Sequence, residues 1–480
     1  MFVTVMAGGG TCLENTIHYV AQRIFDHTPQ VRRKFAEVCG HWLLSFPDRY
    51  SYFYKLVPLL LTCLEDSVPD VKATADEAWL RAGEQWLEEN KMSDQQLKDE
   101  HDFFTEIPDH YPPDIIRPNI GCRKLVARNQ HMILPCIRND LRDWQDDTRV
   151  KASQLLYLVL YHSENEVTMH IEKVIDSITV AVKDDLQEVV KYGFKSSEVL
   201  GYMVEPKIWA PLVLPRLPEQ EEPSAILHAL SGLVAGSERL ALRVCLEDIC
   251  ISISQDSICQ TFDENCQRRI LDVVGQILVT SSEDCGGTDT SGYLFKTAIS
   301  VLGSGMSDII VERARECIAG LALLCPHKSK ETLFKQHMGI MLKRLEDTVS
   351  TWSSSSHDKN VFEALMAESG PAVGFFTERV VSILRKAVDE ENVAETRLKL
   401  FIMLAKMMLN LKHTFDSQGQ FGVCVMGFVE DIILPSLKWR GGHTEMAIRA
   451  AATSSLLCVV LALSKSSSAA EDSSLDTLLG

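Results

Sequence analysis

The chain lacks most of what marks a secreted protein, a membrane protein or an enzyme. No N-x-Ser/Thr sequon occurs, and none of the 14 cysteines stands in a C-x-x-C pair. That argues for scattered reduced thiols and against a disulfide framework. The apolar start Met1–Met6 is too short for a signal peptide, and no basic residue precedes it. The most apolar stretch near the C-terminus, Ala450–Leu463, falls short of the ~20 residues of a bilayer span. Arg449 and Lys465 bound it, and it reads as a buried repeat helix. The expectation is a soluble, cytoplasmic chain with no membrane partner.

Basic charge is also in deficit. Against 66 acidic residues stand 48 basic ones, a formal net charge of −18. Such a chain repels phosphate backbones and anionic lipid, so no nucleic-acid partner is expected. Aromatics are only 7%, while hydrophobic residues reach 46% and are dominated by Leu, Val, Ala and Ile. That composition suits helix-on-helix packing better than a β-sandwich.

Catalytic signatures fail one by one. Gly8, Gly9 and Gly10 are not followed by a Walker Lys-Ser/Thr, and Gly303 with Gly305 is half a dinucleotide fingerprint without its strand. Cys245, Cys250, Cys259 and Cys266 are spaced too widely for zinc, which prefers ligands two to four residues apart. Cys136 follows Pro135 in an apolar helix and reads as a buried, unactivated thiol. His162 and His170 lack a third ligand and read as solvated. No catalytic residue, cofactor or metal is expected, and the chain does not read as an enzyme.

What is present is a repeat. An apolar helix ends in an acidic or proline-containing turn, then comes valine with a basic residue, then a second helix with small residues on one face. The clearest copy runs from Leu56 to Ala82. Asp66 lies in its turn, Pro69 opens the next helix where its missing N–H costs nothing, and Val71-Lys72 is the pair. Val71, Ala75, Ala78 and Trp79 then recur as one stripe. A second copy, Ile133–Leu160, has Asp147 in its turn and Val150-Lys151 as the pair. A partial copy precedes both: Pro29 opens the helix, Val31-Arg32 is the pair, and Phe35, Val38 and Trp42 continue the stripe. Weaker copies centre on Asp184–Lys195, Asp308–Ala319 and Asp389–Ala405.

One helix pair cannot bury its apolar face alone, so neighbours stack into a continuous core. The fold class is therefore all-α, a HEAT/armadillo-type α-solenoid of stacked antiparallel helix pairs. The pattern divides the chain into an unrelated or partly disordered start at 1–20 and repeats at 21–85. A long loop at 86–119 follows, then repeats at 120–463 with loops near 281–292 and 350–358. A Ser-rich disordered tail occupies 464–480. In such arrays the wall of second helices and the inter-repeat loops bind partners. Tyr111, Pro112 and Pro113 are the candidate contact loop. The rival reading is a rigid spacer.

Four long strings add a family resemblance. They are AQRIFDHTPQVRRKFAEVCGHWLLSFPDRYSYFYKLVPLLLTCL (21–64), RPNIGCRKLVARNQHMILPCIRNDLRDWQDDTRVKASQLL (117–156), VFEALMAESGPAVG (361–374) and DIILPSLKWRGGHTEMAIRAA (431–451). In this order they resemble the HEAT-repeat axonemal dynein assembly factors, the HEAT repeat-containing protein 2 family. The resemblance implies a cytoplasmic scaffold, co-chaperone-like, for preassembly of outer and inner dynein arms of motile cilia and flagella. Its implied partners are axonemal dynein chains, the intermediate chain among them, with other assembly factors and chaperones. It also implies a fragment, since family members carry further repeats at both ends. The alternative from the fold alone is a nuclear transport receptor or a phosphatase scaffold.

Overall fold

The computed structural model describes residues 19–90, 107–219, 223–285, 289–353, 355–389, 394–409 and 421–476. Every element among them is helical. The chain divides into two compact units: Met1–Ile249 with Val279–Ser281, and Cys250–Leu278 with Ser282–Gly480.

The first unit is built from α1 (Pro29–Ser45), α2 (Phe53–Leu64), α3 (Pro69–Asn90), α4 (Ile120–Asp140), α5 (Asp146–Ser163), α6 (Ile171–Val182), α7 (Gln187–Met203), α8 (Pro206–Val213) and α9 (Ser224–Gly236). Second helices pack on second helices, α1 on α3, α5 on α7 and α7 on α9, while α2 lies against α4. Helix α2 buries nearly its whole circumference, from Leu56 through Leu64, because α1, α3 and α4 all pack against it. Prolines open the helices where expected: Pro29 and Pro69 are first residues of α1 and α3. The α3 stripe holds, with Val71, Ala75 and Trp79 buried. The α1 stripe is shifted. Phe35, Ala36, Cys39 and Leu43 are buried, whereas Val38 is on the outer side.

The second unit contains α10 (Glu264–Thr280), α11 (Asp289–Ser304), α12 (Asp308–Leu324), α13 (Lys330–Thr348), α14 (His357–Glu368), α15 (Thr377–Ala387), α16 (Ala394–Leu409), α17 (Phe421–Phe428) and α18 (His443–Asp476). Its core is aromatic, with Phe295, Phe334, Phe362, Phe401 and Phe428 fully buried.

Several expected irregular segments are partly helical. Helix α3 continues to Asn90, inside the expected loop at 86–119, of which 91–106 lies outside the described residues. Around 281–292 there is a helical turn at Ser282–Cys285, and α11 begins at Asp289, whose carboxylate suits a helix N-terminus. Near 350–358, a 3-10 turn (Val349–Thr351) precedes α14. Helix α18 carries helical backbone through most of the Ser-rich end, and the expected irregular start lies almost wholly in 1–18, outside the described residues.

The apolar part of α18 is longer than composition indicated. His443–Leu461, 19 residues with mean hydropathy 1.4, is long and apolar enough to cross a membrane. Its buried positions Ile448, Ala452, Ser455 and Val459 instead form one stripe against α16, and the Ser455 hydroxyl donates to the Phe401 carbonyl at 3.2 Å. That is the pattern of a repeat helix packed on one side.

One close helix approach in the first unit has a direct test. A Cβ on Gly121 at the start of α4 would overlap the Gly83 carbonyl of α3. Gly121→Ala should therefore part the two helices and cost about 1–3 kcal/mol in urea unfolding. Gly275→Ala in α10, where nothing crowds the new methyl, should be neutral or stabilising by up to about 1 kcal/mol. Equal effects at both positions would show that the α3–α4 approach is looser than described.

Candidate interaction surface

The turns of the first unit share one local geometry. Asp26, Asp66, Asp143 and Asp184 each accept the backbone N–H two residues ahead, at 2.8–2.9 Å. Two arginines, each six residues beyond the first of such turns, link it to the next. Arg32 donates through Nη1 to the Asp26 carbonyl at 2.7 Å and through Nε to Asp66 at 2.7 Å. Arg149 donates to the Asp143 carbonyl at 3.2 Å and through Nε to Asp184 at 2.8 Å. Burial alone would raise the Asp66 carboxyl, but the Arg32 guanidinium and the Val68 N–H outweigh it and hold the group below the usual range.

These contacts sort the repeat positions read from the sequence. Arg32 and Asp66 form one rung. Lys72 stands six residues after Asp66, yet it reaches back to Glu65 at 3.6 Å. Asp147 is exposed and Val150 half-buried. Lys151 bonds Gln154 at 3.2 Å, and burial draws its ammonium down from the usual range. The rung of that copy is Arg149 on Asp184, seated on the Asp143 turn, and sequence reasoning missed both Asp143 and Arg149. The Asp-x5-Arg spacing, shared by Asp26-Arg32 and Asp143-Arg149, was the available signal.

Where α5 ends, a buried polar centre forms. His162, read from sequence as solvated, is 1% exposed. Its position faces α3, so the Trp79 indole N–H donates to Nε2 at 3.0 Å, and Nδ1 lies 2.7 Å from the Leu158 carbonyl. The chain then turns at Glu164, which has φ of 47°. Its carboxylate accepts Arg117 through Nε and Nη2 at 2.7 and 2.8 Å and Arg123 Nη1 at 2.9 Å. All three side chains are over nine-tenths buried.

Arg117 belongs to residues 107–119, a non-helical strap leading into α4. Tyr111 is half-buried with its ring beneath the Arg117 guanidinium, 5.8 Å away. Pro112 is buried, and Pro113 is exposed. Upstream, His110 Nε2 lies 2.8 Å from the Gly236 carbonyl, and its ring lies on Tyr202, centroids 4.6 Å apart. Beside the strap, α5 and α7 present a cluster of tyrosines. Tyr157 and Tyr192 meet edge to face at 5.9 Å, Lys195 sits over both rings, and the Tyr192 hydroxyl donates to Glu65 at 2.6 Å. Burial pushes the Tyr157 hydroxyl up to about 12. Of the two rings, Tyr192 is buried and Tyr157 half-buried, and tyrosine is a residue type enriched at protein-contact surfaces.

The second unit pairs charges between neighbouring helices. Asp256 accepts Lys296 and Arg344, Glu368 accepts Arg315 and Lys330, and Arg397 meets Glu445 at 2.9 Å. The Ser291 hydroxyl and His337 Nε2 are 2.8 Å apart, but Ser291 is 3% exposed and offers a substrate no approach. Among the described residues no group of three or more His, Cys, Asp or Glu could hold a metal ion. Cys245, Cys250, Cys259 and Cys266 are buried and none of them forms a disulfide, and Cys136 is half-buried. Burial raises the Cys136 thiol, which opposes nucleophilic use.

Stacked helix pairs linked turn to turn, with side chains arranged for contact, define an all-α HEAT-repeat solenoid. The family models identify which. Residues 109–305 match "Dynein axonemal assembly factor 5, HEAT-repeat domain", and residues 2–100 match "Dynein axonemal assembly factor 5-like, TPR repeats". The chain belongs to the dynein axonemal assembly factor 5 family. It is 36% identical to the human protein of that name over 450 residues, 94% of this chain and 52% of the relative. The Xenopus laevis relative is 34% identical over 94% of this chain, and the Drosophila melanogaster relative 22% over 94%. The chain spans about half the length of these relatives. Among solved structures, the karyopherin Kap121p bound to the extreme C-terminus of the protein phosphatase Cdc14p matches 94% of this chain and 46% of its own. The identity is 12% and the TM-score 0.38.

Proposed function

We propose that this chain is a non-enzymatic cytoplasmic scaffold that holds axonemal dynein chains while dynein arms are preassembled for motile cilia and flagella. The relation to dynein axonemal assembly factor 5 across 94% of the chain carries this reading. The fold supports the manner of action. Stacked helix pairs offer several contact sites along one chain, and two sites on one chain raise the local concentration of one client beside another. Dynein intermediate chain is the proposed direct client, with chaperones and other assembly factors acting alongside.

Depletion in cells that build motile cilia tests it. Normal-length axonemes lacking outer and inner arms in cross-section, with dynein chains reduced in the cytosol, are the expected result. Intact arms with normal cytosolic dynein would remove the dynein reading and leave only a HEAT scaffold.

A further inference from the structure

The chain is acidic overall, yet one hollow in the first unit is lined by cations and by no acid. Between α4 and α6 lies a groove of 280 Å³, bounded by Leu134, Pro135, Arg138, Asn139, Arg142 and Lys173. The first four belong to α4, Arg142 follows its end, and Lys173 comes from α6. The rung arginines and those at Glu164 each hold a carboxylate at short distance, and the groove's cations do not. Asp176 of α6 accepts Arg216 Nη1 at 2.7 Å, so Arg138 Nη2 reaches its other oxygen only at 3.4 Å. Arg138 Nε is buried with no hydrogen-bond partner among the described residues. A buried donor left unmet costs free energy that a paired one does not. Arg142 Nη1 finds the Arg138 carbonyl at 3.4 Å. Lys173 is exposed, and its ammonium meets no carboxylate among the described residues.

Helix ends account for only part of this placement. Arg138 and Arg142 stand at the C-terminal end of α4, where cations answer the helix dipole. Lys173 stands in the first turn of α6, where Glu172 suits the dipole and Lys173 is opposed by it. Positive charge gathers further along the same pair of helices. Burial, then Lys173 and His131, hold the His170 imidazole below its usual range. Cations collected around a concave site focus their field and concentrate anions there. The formal net charge of −18 does not cancel that field, because charges beyond about 8 Å are screened at physiological salt.

We propose that the groove between α4 and α6 is a docking site for an acidic peptide segment of a partner protein, with carboxylates on either side of an apolar residue. The carboxylates meet Arg138, Arg142 and Lys173, the two guanidiniums offering paired N–H donors. The apolar side chain packs against Leu134 and Pro135. Charge complementarity selects the occupant, since a neutral or basic segment would leave all three cations unmatched. The inference concerns this groove alone and stands apart from the dynein reading.

The experiment titrates the full chain, its helicity checked by circular dichroism, against the peptide Glu-Glu-Leu-Glu-Glu carrying an uncharged fluorophore. Gln-Gln-Leu-Gln-Gln with the same label is the neutral counterpart, and anisotropy reports binding. The acidic peptide should bind about tenfold more tightly than the neutral one. Raising salt from about 0.1 M to about 1 M shortens the screening length from about 10 Å to about 3 Å and should weaken it about fivefold or more. Arg142→Gln with Lys173→Gln should weaken it about fivefold or more and leave the urea midpoint unchanged, because neither side chain holds a carboxylate. Lys34→Gln with Arg81→Gln removes the same charge from exposed positions on α1 and α3 and should leave binding as it was. Equal weakening by the two pairs would reveal attraction to cations anywhere on the surface and overturns the groove. Equal binding of the two peptides, or no binding of the acidic one to the folded chain, also overturns it.

Discussion

Acidification from pH 6.5 to 4 is expected to cost the first unit about 3 kcal/mol through His162 alone. The residue is fully buried, and that burial pulls its imidazole down from 6.5 to about 4, with the Leu158 carbonyl opposing and Arg123 assisting. The hydrogen bonds require the neutral ring. Nδ1–H donates to Leu158, so Nε2 must accept from the Trp79 indole. A proton on Nε2 would set one N–H against another. In the unfolded chain His162 takes up its proton near pH 6.5, whereas in the folded chain it resists until about 4. The unfolded state thus binds more protons across this window, and stability falls as pH falls. About 2.5 units at 1.36 kcal/mol per unit give the figure. Urea unfolding at closely spaced pH values should show the slope, and His162→Gln should flatten it. An unchanged slope in that variant would assign the acid loss to the turn aspartates, whose contribution falls at lower pH.

The second large effect concerns Glu164. Glu164→Gln keeps the shape of the side chain but leaves Arg117 and Arg123 buried without their carboxylate. Breaking a buried ion pair on one side costs about 3–5 kcal/mol, because the remaining charge has lost both water and partner. Here one acid serves two guanidiniums, so the upper part of that range is expected. The loss should concentrate in hydrogen exchange of α4 and α5. The triple variant Glu164→Leu, Arg117→Met, Arg123→Met separates charge from packing, since apolar replacement of a whole buried ionic cluster is commonly near neutral. If E164Q proved as mild as a surface substitution, the centre would be more hydrated than its burial indicates.

The fold class was legible because the repeat is written in apolar spacing and in turn residues, which act locally. Pro29 and Pro69 mark helix starts by removing an N–H, a property independent of the rest of the chain. The rungs were only half legible. Arg32 and Asp66 were singled out, but as members of a Val-basic pattern. In the later copy that pattern pointed to Lys151, one turn face away from the true partner Arg149. The pairing joins residues 34 or 35 positions apart, and a local pattern cannot tell which of two nearby basic residues makes it. His162 was misread for the same reason. Its burial depends on Trp79, 83 residues away, and nothing around position 162 records that neighbour. Tyr111 and the two prolines were found as an unusual loop, but that loop is held by His110 on Tyr202 and Gly236 and by Arg117 on Glu164, all partners remote in sequence.

The rungs also decide how the first unit would carry a load. Each arginine clamp spans one boundary between adjacent repeats, so force along the array passes from turn to turn like tension through links. The boundary after α3 has no such link, because Lys72 turns back to Glu65. The Glu164 centre joins the strap and the start of α4 to the end of α5 at the opposite side of that repeat. Stiffness is therefore shared unevenly. Two boundaries are braced at their turns, and the one between them is held by the Trp79–His162 hydrogen bond, by Tyr192 on Glu65 and by the Gly83–Gly121 approach, so load there passes through the helices and not from turn to turn.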